Sequence, residues 1–159
     1  MRIVLFIGLL SLSLFAKEVE LPSELNAWKN LSYLQAAKNI NDAKGASVSI
    51  NVASVVGLIN TPKVQYIVRP VKEGGTVSYG GIFQFEIKEK GTYRIALGNA
   101  SWIDLIKDNK AVISVAHGGG PENSGIRKMV DYILDAGIYT LQLSAGGDSS
   151  TPLLVTKIK

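Results

Sequence analysis

The sequence predicts an all-β protein: an antiparallel, jelly-roll-like β-sandwich of about eight strands, with a short N-terminal helix after a signal peptide. Three observations predict it. From residue 46 onward, apolar and polar residues alternate in several short segments, as they do in half-buried antiparallel strands. Turn-forming residues separate these segments at close spacing. No helical period of useful length follows residue 46, so an α/β fold is not expected.

The first 16 residues have the pattern of a secretory signal peptide. Arg2 is basic, residues 3–15 are almost entirely apolar, and charge returns at Lys17. An apolar run of this length falls short of the roughly 20 residues that cross a bilayer comfortably. We therefore expect cleavage near Ala16 and a periplasmic protein, with an uncleaved N-terminal anchor as the alternative.

Residues 17–45 are expected to form an N-terminal segment of helix and loop, and residues 46–159 the sandwich. Trp28, Leu31 and Leu34 are spaced three apart, which predicts a short helix near residues 23–36. The whole chain has 159 residues, close to the roughly 150 of one typical domain.

The alternating segments predict the strands, and one connection between strands is nearly explicit. Asp108-Asn109 separates the apolar runs 102–106 and 111–115, and both residues tolerate the positive φ of a tight hairpin turn. The alternating segments are 46–52, 64–68, 83–87, 93–97, 130–134 and 139–143.

Two stretches of the chain repeat one pattern. Residues 91–97 and 137–143 both read Gly-x-Tyr-x-[Ile/Leu]-x-Leu, and each follows an alternating segment and a short polar turn. We interpret them as two equivalent hairpins, with Tyr93 and Tyr139 entering the core and their hydroxyls near its rim. A pair of ligand sites, one in each repeat, is the alternative interpretation.

The composition excludes several classes of site. The chain has no cysteine and one histidine, His117, so it has neither disulfides nor thiolate ligands, and one chain cannot supply a site that needs two imidazoles. Its net charge of +4 is mild and the basic residues are scattered, so nucleic acid is not an expected partner. No cofactor and no metal is expected, and the oligomeric state is left open.

The most unusual stretch is residues 117–125, which hold the single histidine, four of the 16 glycines and a proline. Such a loop can be a mobile connector, or it can present side chains to a ligand at the end of a rigid sandwich. Three glycines in a row imply a loop that stays mobile or one that passes close to something. The candidate ligand-binding residues are His117, Glu122, Asn123 and Arg127, with Asp104 and Trp102 as neighbours.

Arg127 offers the strongest anion-binding group in this region, so we expect an acidic or polyhydroxylated ligand. Trp102 and Asp104 share one face of a strand, an arrangement found in sugar sites, although Trp102 can equally be a core residue. Gly-x-Ser-x-Gly is absent, which gives a serine nucleophile little support.

Three functions are compatible with these residues. The favoured one is a non-enzymatic periplasmic module that binds a small ligand, a glycan or an envelope protein through its loops. The second is a small exported enzyme with its site around His117, Asp104 and Arg127. The third is a structural accessory of the envelope that binds no ligand.

Six further stretches stand out: Val77-Ser78-Tyr79-Gly80-Gly81, Gly91-Thr92-Tyr93-Arg94, Trp102-Ile103-Asp104, Ser114-Val115-Ala116-His117-Gly118, Gly125-Ile126-Arg127-Lys128 and Gly137-Ile138-Tyr139-Thr140-Leu141. Through them, nearly half of the chain resembles a group of small exported bacterial β-sandwich proteins of unassigned function. That resemblance implies the same compartment and a similar sandwich. Some members carry the label homogentisate dioxygenase, which would require two histidines and a carboxylate around ferrous iron. Because His117 is the single histidine, we expect no tightly bound iron and no oxidation of homogentisate.

Overall fold

A computed structural model describes residues 19–159. The predicted signal peptide, residues 1–16, and its cleavage site lie outside this range. The described residues form three short 3₁₀ helices, Ser23–Lys29, Ala43–Ala46 and Thr61–Lys63, and eleven strands. The strands are β1 (Ser32–Gln35), β2 (Ser54–Gly57), β3 (Ile59–Asn60), β4 (Tyr79–Ile87), β5 (Gly91–Leu97), β6 (Trp102–Lys107), β7 (Lys110–Ala111), β8 (Ala116–Gly118), β9 (Lys128–Leu134), β10 (Gly137–Gly146) and β11 (Ser150–Lys157).

The strands form two sheets, which confirms the predicted all-β sandwich. Sheet A has the order β1-β2-β11-β5-β9-β8, and sheet B has the order β3-β4-β10-β6-β7. If the short edge strands β1, β3 and β8 are left out, eight strands remain, which can be counted from first to eighth along the chain. Sheet A then has the order first-eighth-third-sixth, and sheet B has the order second-seventh-fourth-fifth. This is the jelly-roll arrangement, in which consecutive strands alternate between the two sheets along much of the chain.

The core lies between the sheets and is built by the predicted alternation. In sheet B, Leu141 of β10 is opposite Phe83 of β4 on one side and Leu105 of β6 on the other, and all three side chains are buried. Ile95 and Val155 fill the facing side from sheet A. Each such side chain contributes roughly 1.5–3 kcal/mol by leaving water, which makes this layer the main source of stability.

Tyr93 and Tyr139 occupy equivalent positions, as the repeat predicts. Both are 3% exposed, and each hydroxyl donates a hydrogen bond to the backbone oxygen four residues earlier, that of Glu89 at 2.9 Å and that of Asp135 at 3.0 Å. The predicted hairpins are wrong, however, because β4 and β5 belong to different sheets, as do β9 and β10. Each repeat is therefore a corner at which the chain crosses from one sheet to the other.

Two predicted strands are absent. Residues 46–52 make a single bridge, Ser47 to Gln84, and residues 64–68 form no strand. Their alternation has other causes. Val48 and Val64 reach the core, while the backbone of residues 67 and 68 bonds to the buried side-chain amide of Gln142 on the outer face of sheet B.

The N-terminal helix is shorter than predicted. It ends at Lys29, and β1 follows within the range that the sequence assigned to helix. Strand β1 pairs in parallel with β2, so Leu34 packs on the core through a strand and not through a helix. The segment assigned to helix and loop, residues 17–45, thus contributes an edge strand to sheet A.

The same segment covers the outer face of sheet A. Leu25 and Trp28 are buried against Ala96 and Leu154 of the sheet and against Ala53, which immediately precedes β2. Beside them, Arg94 holds Asp131 through two hydrogen bonds of 2.8 and 2.9 Å. Burial and this pairing hold the side chain of Asp131 on the outer face of sheet A.

The predicted turn at Asp108-Asn109 is confirmed. Both residues have positive φ, 50° and 59°, and the turn joins β6 to the two-residue strand β7. The second apolar run is mostly not a strand: after Val112 the chain leaves sheet B and crosses to sheet A, where β8 begins.

Candidate functional site

The two tyrosine corners lie at one end of the sandwich, and a cavity lies at the other. Lys128 begins β9 opposite Leu97, the last residue of β5, while Trp102 begins β6 opposite Ser144 of β10. At this end, the starts of β6 and β9 and the edge strand β8 surround a cavity of about 290 Å³. This volume is near the lower end for small-molecule sites.

The wall of the cavity is mostly apolar, with the hydroxyl-bearing Ser114 among its residues. Ile103 and Tyr132 belong to the core, and Val130 packs against it. Burial, together with the negative charge of Asp104, raises the pKa of the Tyr132 hydroxyl above its ordinary value. The hydroxyl is therefore neutral throughout the physiological range and can donate a hydrogen bond.

Trp102, on the rim, is held in place by its indole nitrogen. Trp102 Nε1 donates to Asp104 Oδ1 at 3.0 Å. The second carboxylate oxygen, Asp104 Oδ2, accepts a longer bond of 3.4 Å from the backbone nitrogen of Val71. Asp104 therefore positions the indole and is not itself a wall of the cavity. This side chain is the partner that sequence reasoning paired with Trp102, and the structure brings the two together.

Two lysines lie against the same indole ring. Lys72 Nζ is 4.9 Å from the ring centroid and Lys128 Nζ is 5.4 Å from it, both within the range of a cation–π interaction. Lys128 also donates to the backbone oxygens of Ala100, at 3.1 Å, and Ser101, at 2.7 Å. Burial and the nearby positive charge of Lys72 lower the pKa of Lys128.

His117 and Arg127 complete the rim. His117 lies on β8 directly opposite Val130, so their side chains share the face of sheet A that borders the cavity. Arg127 immediately precedes β9, its backbone nitrogen bonds to the oxygen of Leu97, and its side chain is exposed. Three of the six sequence-predicted residues, His117, Arg127 and Trp102, therefore border one cavity.

Glu122 and Asn123 do not join them. The loop between β8 and β9 turns at Pro121, where Ser124 bonds to its backbone oxygen through both nitrogen and hydroxyl. Trp28 of the N-terminal segment then donates to the backbone oxygen of Ser124 at 3.1 Å. Asn123 consequently lines a separate surface depression beside Trp28, and Glu122 is exposed and lines neither space.

This loop passes close to its neighbours. A Cβ placed on Gly120 would lie 2.3 Å from the Cβ of Ile126, so no side chain fits there. A Cβ placed on Gly118, by contrast, would have no atom within 4 Å beyond its chain neighbours. Of the two explanations for the glycine run, close approach applies at Gly120.

Sequence reasoning missed three residues of the site, Lys72, Lys128 and Tyr132. Tyr132 is part of an alternating strand and reads as a core residue. Lys128 gave the strongest sequence signal of the three, because it directly follows Arg127 and the two form a pair of successive cations just before an alternating segment. Lys72 gave none, because it comes from a segment that crosses the outer face of sheet B far away in sequence.

Neither a protein-family model nor a curated protein matches this chain. Within residues 19–159, no three His, Asp or Glu side chains are grouped closely enough to hold a metal ion. In the same range, no helix is both long and apolar enough to cross a bilayer.

Proposed function

We propose that this protein is an exported binding module of the periplasm that holds a small ligand in the cavity between the starts of β6 and β9. The observation that carries the proposal is the convergence on one cavity of Trp102, His117 and Arg127, three residues distant in sequence. An apolar wall with a few polar groups around its mouth is the usual composition of a small-molecule site.

The arrangement of the acids supports binding in preference to acid–base catalysis. Asp104 is bonded to the Trp102 indole, and Asp131 is paired with Arg94. Asp131 is on the strand next to His117, where it pairs with Ala116. Its side chain nevertheless lies on the opposite face of sheet A, because His117 pairs with Val130 and successive residues of a strand point to opposite faces. Neither carboxylate is a partner that could orient His117 as a general base.

A fragment panel followed by backbone amide NMR shifts tests the proposal. Ligands that bind should shift the resonances of β6, β8 and β9 around the cavity. Arg127→Ala should weaken binding about tenfold or more, because hydrogen bonds to charged groups contribute roughly 1.5–3 kcal/mol. Arg69→Ala is the matched control: Arg69 is exposed, pairs with Glu73 and lies outside the cavity.

His117→Ala separates binding from catalysis. A binding module should retain most of its affinity when one rim side chain is lost. An enzyme that used His117 as acid or base would lose two orders of magnitude or more in rate. The proposal is wrong if bound ligands shift resonances only elsewhere, or if Arg127→Ala and Arg69→Ala bind equally well.

A further inference from the structure

We propose that the ligand of this cavity is a small amphiphilic organic acid, with its acidic group at Lys128 and its apolar body against Ile103, Val130 and Tyr132. This inference rests on the proposed function and adds the chemical class of the ligand. The sequence predicts either an acidic or a polyhydroxylated ligand. The proposal selects the acidic one.

The charge of the cavity has one sign. Among the described residues that line it, Arg127 and Lys128 carry positive charge, and none is an aspartate or glutamate. Lys72 adds a further positive charge beside Trp102, on the rim. The nearby carboxylate of Asp104 is bonded to the Trp102 indole and the Val71 backbone, so it neutralises these cations only in part.

Lys128 is positioned in advance for an anion. Two of its three N–H donors bond to the backbone oxygens of Ala100 and Ser101, which fixes the ammonium group at the mouth of the cavity. Within residues 19–159 the third donor makes no hydrogen bond, so it can serve a ligand. The pKa of Lys128 is lowered by burial and by Lys72, so the charged form is under-compensated in the free protein. A bound anion would relieve that cost, and a neutral ligand would not.

The wall argues against a sugar. A polyhydroxylated ligand needs several hydrogen-bonding partners around it, since a buried hydroxyl without one is costly. Ile103 and Val130 offer none from their side chains, and the wall supplies two hydroxyls, those of Tyr132 and Ser114. The other polar side chains, His117, Arg127 and Lys128, carry nitrogen groups that suit an acid. The wall suits a hydrocarbon or aromatic body, and the volume of about 290 Å³ suits a body of one ring or a short alkyl chain.

The test compares acids with neutral molecules of the same shape. Benzoate, hexanoate, benzamide and hexanamide are each titrated into the protein at pH 7. Binding is followed by calorimetry and by the shifts of backbone amide resonances. We expect each acid to bind at least about tenfold more tightly than its amide, as a charge-assisted bond contributes roughly twice a neutral one. Inorganic sulfate and acetate serve as anions without an apolar body and should bind more weakly than benzoate.

Variants assign the effect to Lys128. Lys128→Met should remove most of the advantage of acid over amide, with the remainder left to Arg127, while binding of the amides changes little. Lys72→Met keeps every side chain that lines the cavity and should reduce the advantage only partly. Lys63→Met is the control, because Lys63 is an exposed lysine on the 3₁₀ helix Thr61–Lys63 and outside the cavity lining. It shows how much binding changes when the protein loses one positive charge away from the cavity. Circular dichroism checks that each variant is folded.

The outcomes separate this inference from the function it rests on. If acids and amides bind the cavity equally, or if Lys63→Met removes the advantage as Lys128→Met does, the acid class is wrong and the binding site stands. If sulfate or acetate binds as tightly as benzoate, the apolar body is not recognised and the inference is overturned. If none of these acids binds while other fragments shift the cavity resonances, the inference is again wrong and the proposed function is upheld.

Discussion

At two corners of this sandwich, a large tyrosine ring is held in place by the hydrogen bond of its own hydroxyl. Tyr139 stacks on Phe85 at a centroid distance of 5.8 Å, and its hydroxyl reaches back to the backbone at Asp135. Tyr93 makes the matching bond to Glu89. Each bond satisfies a backbone oxygen at the point where the chain leaves one sheet for the other, so it fixes the angle of the corner as well as the ring.

The equivalence of the two corners can be measured. We expect Tyr93→Phe and Tyr139→Phe each to lower the free energy of unfolding by about 1 kcal/mol, the usual net contribution of one hydrogen bond. Urea denaturation gives the values. Tyr33→Phe is the control, because Tyr33 is 68% exposed and bonds to the side chain of Gln35 at the surface. Losses that differ by more than threefold between the two corners would contradict their equivalence.

Tyr66 provides a test of pH dependence. Its hydroxyl donates to the backbone oxygen of Leu143 at 2.9 Å, and burial, reinforced by the charge of Asp104, raises its pKa to about 12. The tyrosine of the unfolded chain ionises near pH 10. Tyr66 therefore stabilises the fold fully below pH 10, and this contribution falls as the pH rises toward 12.

Tyr66→Phe should accordingly be less stable than wild type by about 1 kcal/mol at pH 8, with a gap that narrows between pH 10 and 12. Urea denaturation of both proteins at pH 8, 10 and 11.5 measures the gap. All other tyrosines are common to the two proteins and cancel in the difference. A gap that stays constant over this range would show that the ionisation of Tyr66 is not coupled to folding.

At the scale of elements, the loop between β8 and β9 connects two parts of the molecule. Its first residues border the cavity, and its turn at Pro121 and Ser124 is held by Trp28 of the N-terminal segment. Gly120 lies between these parts, and its backbone nitrogen bonds to the oxygen of Ile126 at 3.2 Å. The loop is therefore a packed element that places Arg127 at the start of β9.

Two glycines of this loop should respond differently to alanine. Gly120→Ala should destabilise the protein by roughly 1–3 kcal/mol, because the new methyl group would overlap Ile126. Gly118→Ala should change stability by less than about 0.5 kcal/mol, since the space around Gly118 is open. Thermal unfolding of the two variants compares them directly. Equal effects would mean that close packing is not the reason for glycine at position 120.

At the scale of the whole molecule, the N-terminal segment completes the sandwich. Leu21 and Leu25 cover the outer face of sheet A, and Val19 packs against the same cluster. β1 extends the sheet at its edge. A protein shortened to the predicted sandwich, residues 46–159, would lose both the cover and this edge strand.

Cleavage near Ala16 would leave this whole segment in the mature protein. We expect mass spectrometry of a periplasmic fraction to show a chain that begins near Lys17, because the residues from Val19 onward are needed to cover sheet A. Immunoblotting of separated fractions is the complementary measurement. An intact N-terminus found in the membrane fraction would support the uncleaved anchor and contradict the proposed location.

Local pattern was sufficient for the strands whose inner face is apolar and whose outer face is polar. In β4, β5, β9 and β10 the alternation reflects the two sides of a sheet, and it predicted most of β5 and β9 and about half of β4 and β10. It failed for residues 64–68, whose backbone bonds to the side chain of Gln142 and not to a strand. It also missed β11, where Pro152 interrupts the pattern just before the pairing with β5 begins at Leu153.

By itself, the sequence determined that the protein is a jelly-roll-like β-sandwich without cysteine chemistry, that two tyrosines occupy equivalent positions, and that His117, Trp102 and Arg127 merit attention. These conclusions depend on residue type and short-range spacing. Only the tertiary structure decided that Lys72 and Lys128 meet at Trp102 and that Glu122 and Asn123 face elsewhere. The physical reason is that a jelly roll joins strands distant in the chain, so the neighbours of a cavity are set by sheet pairing and not by sequence distance.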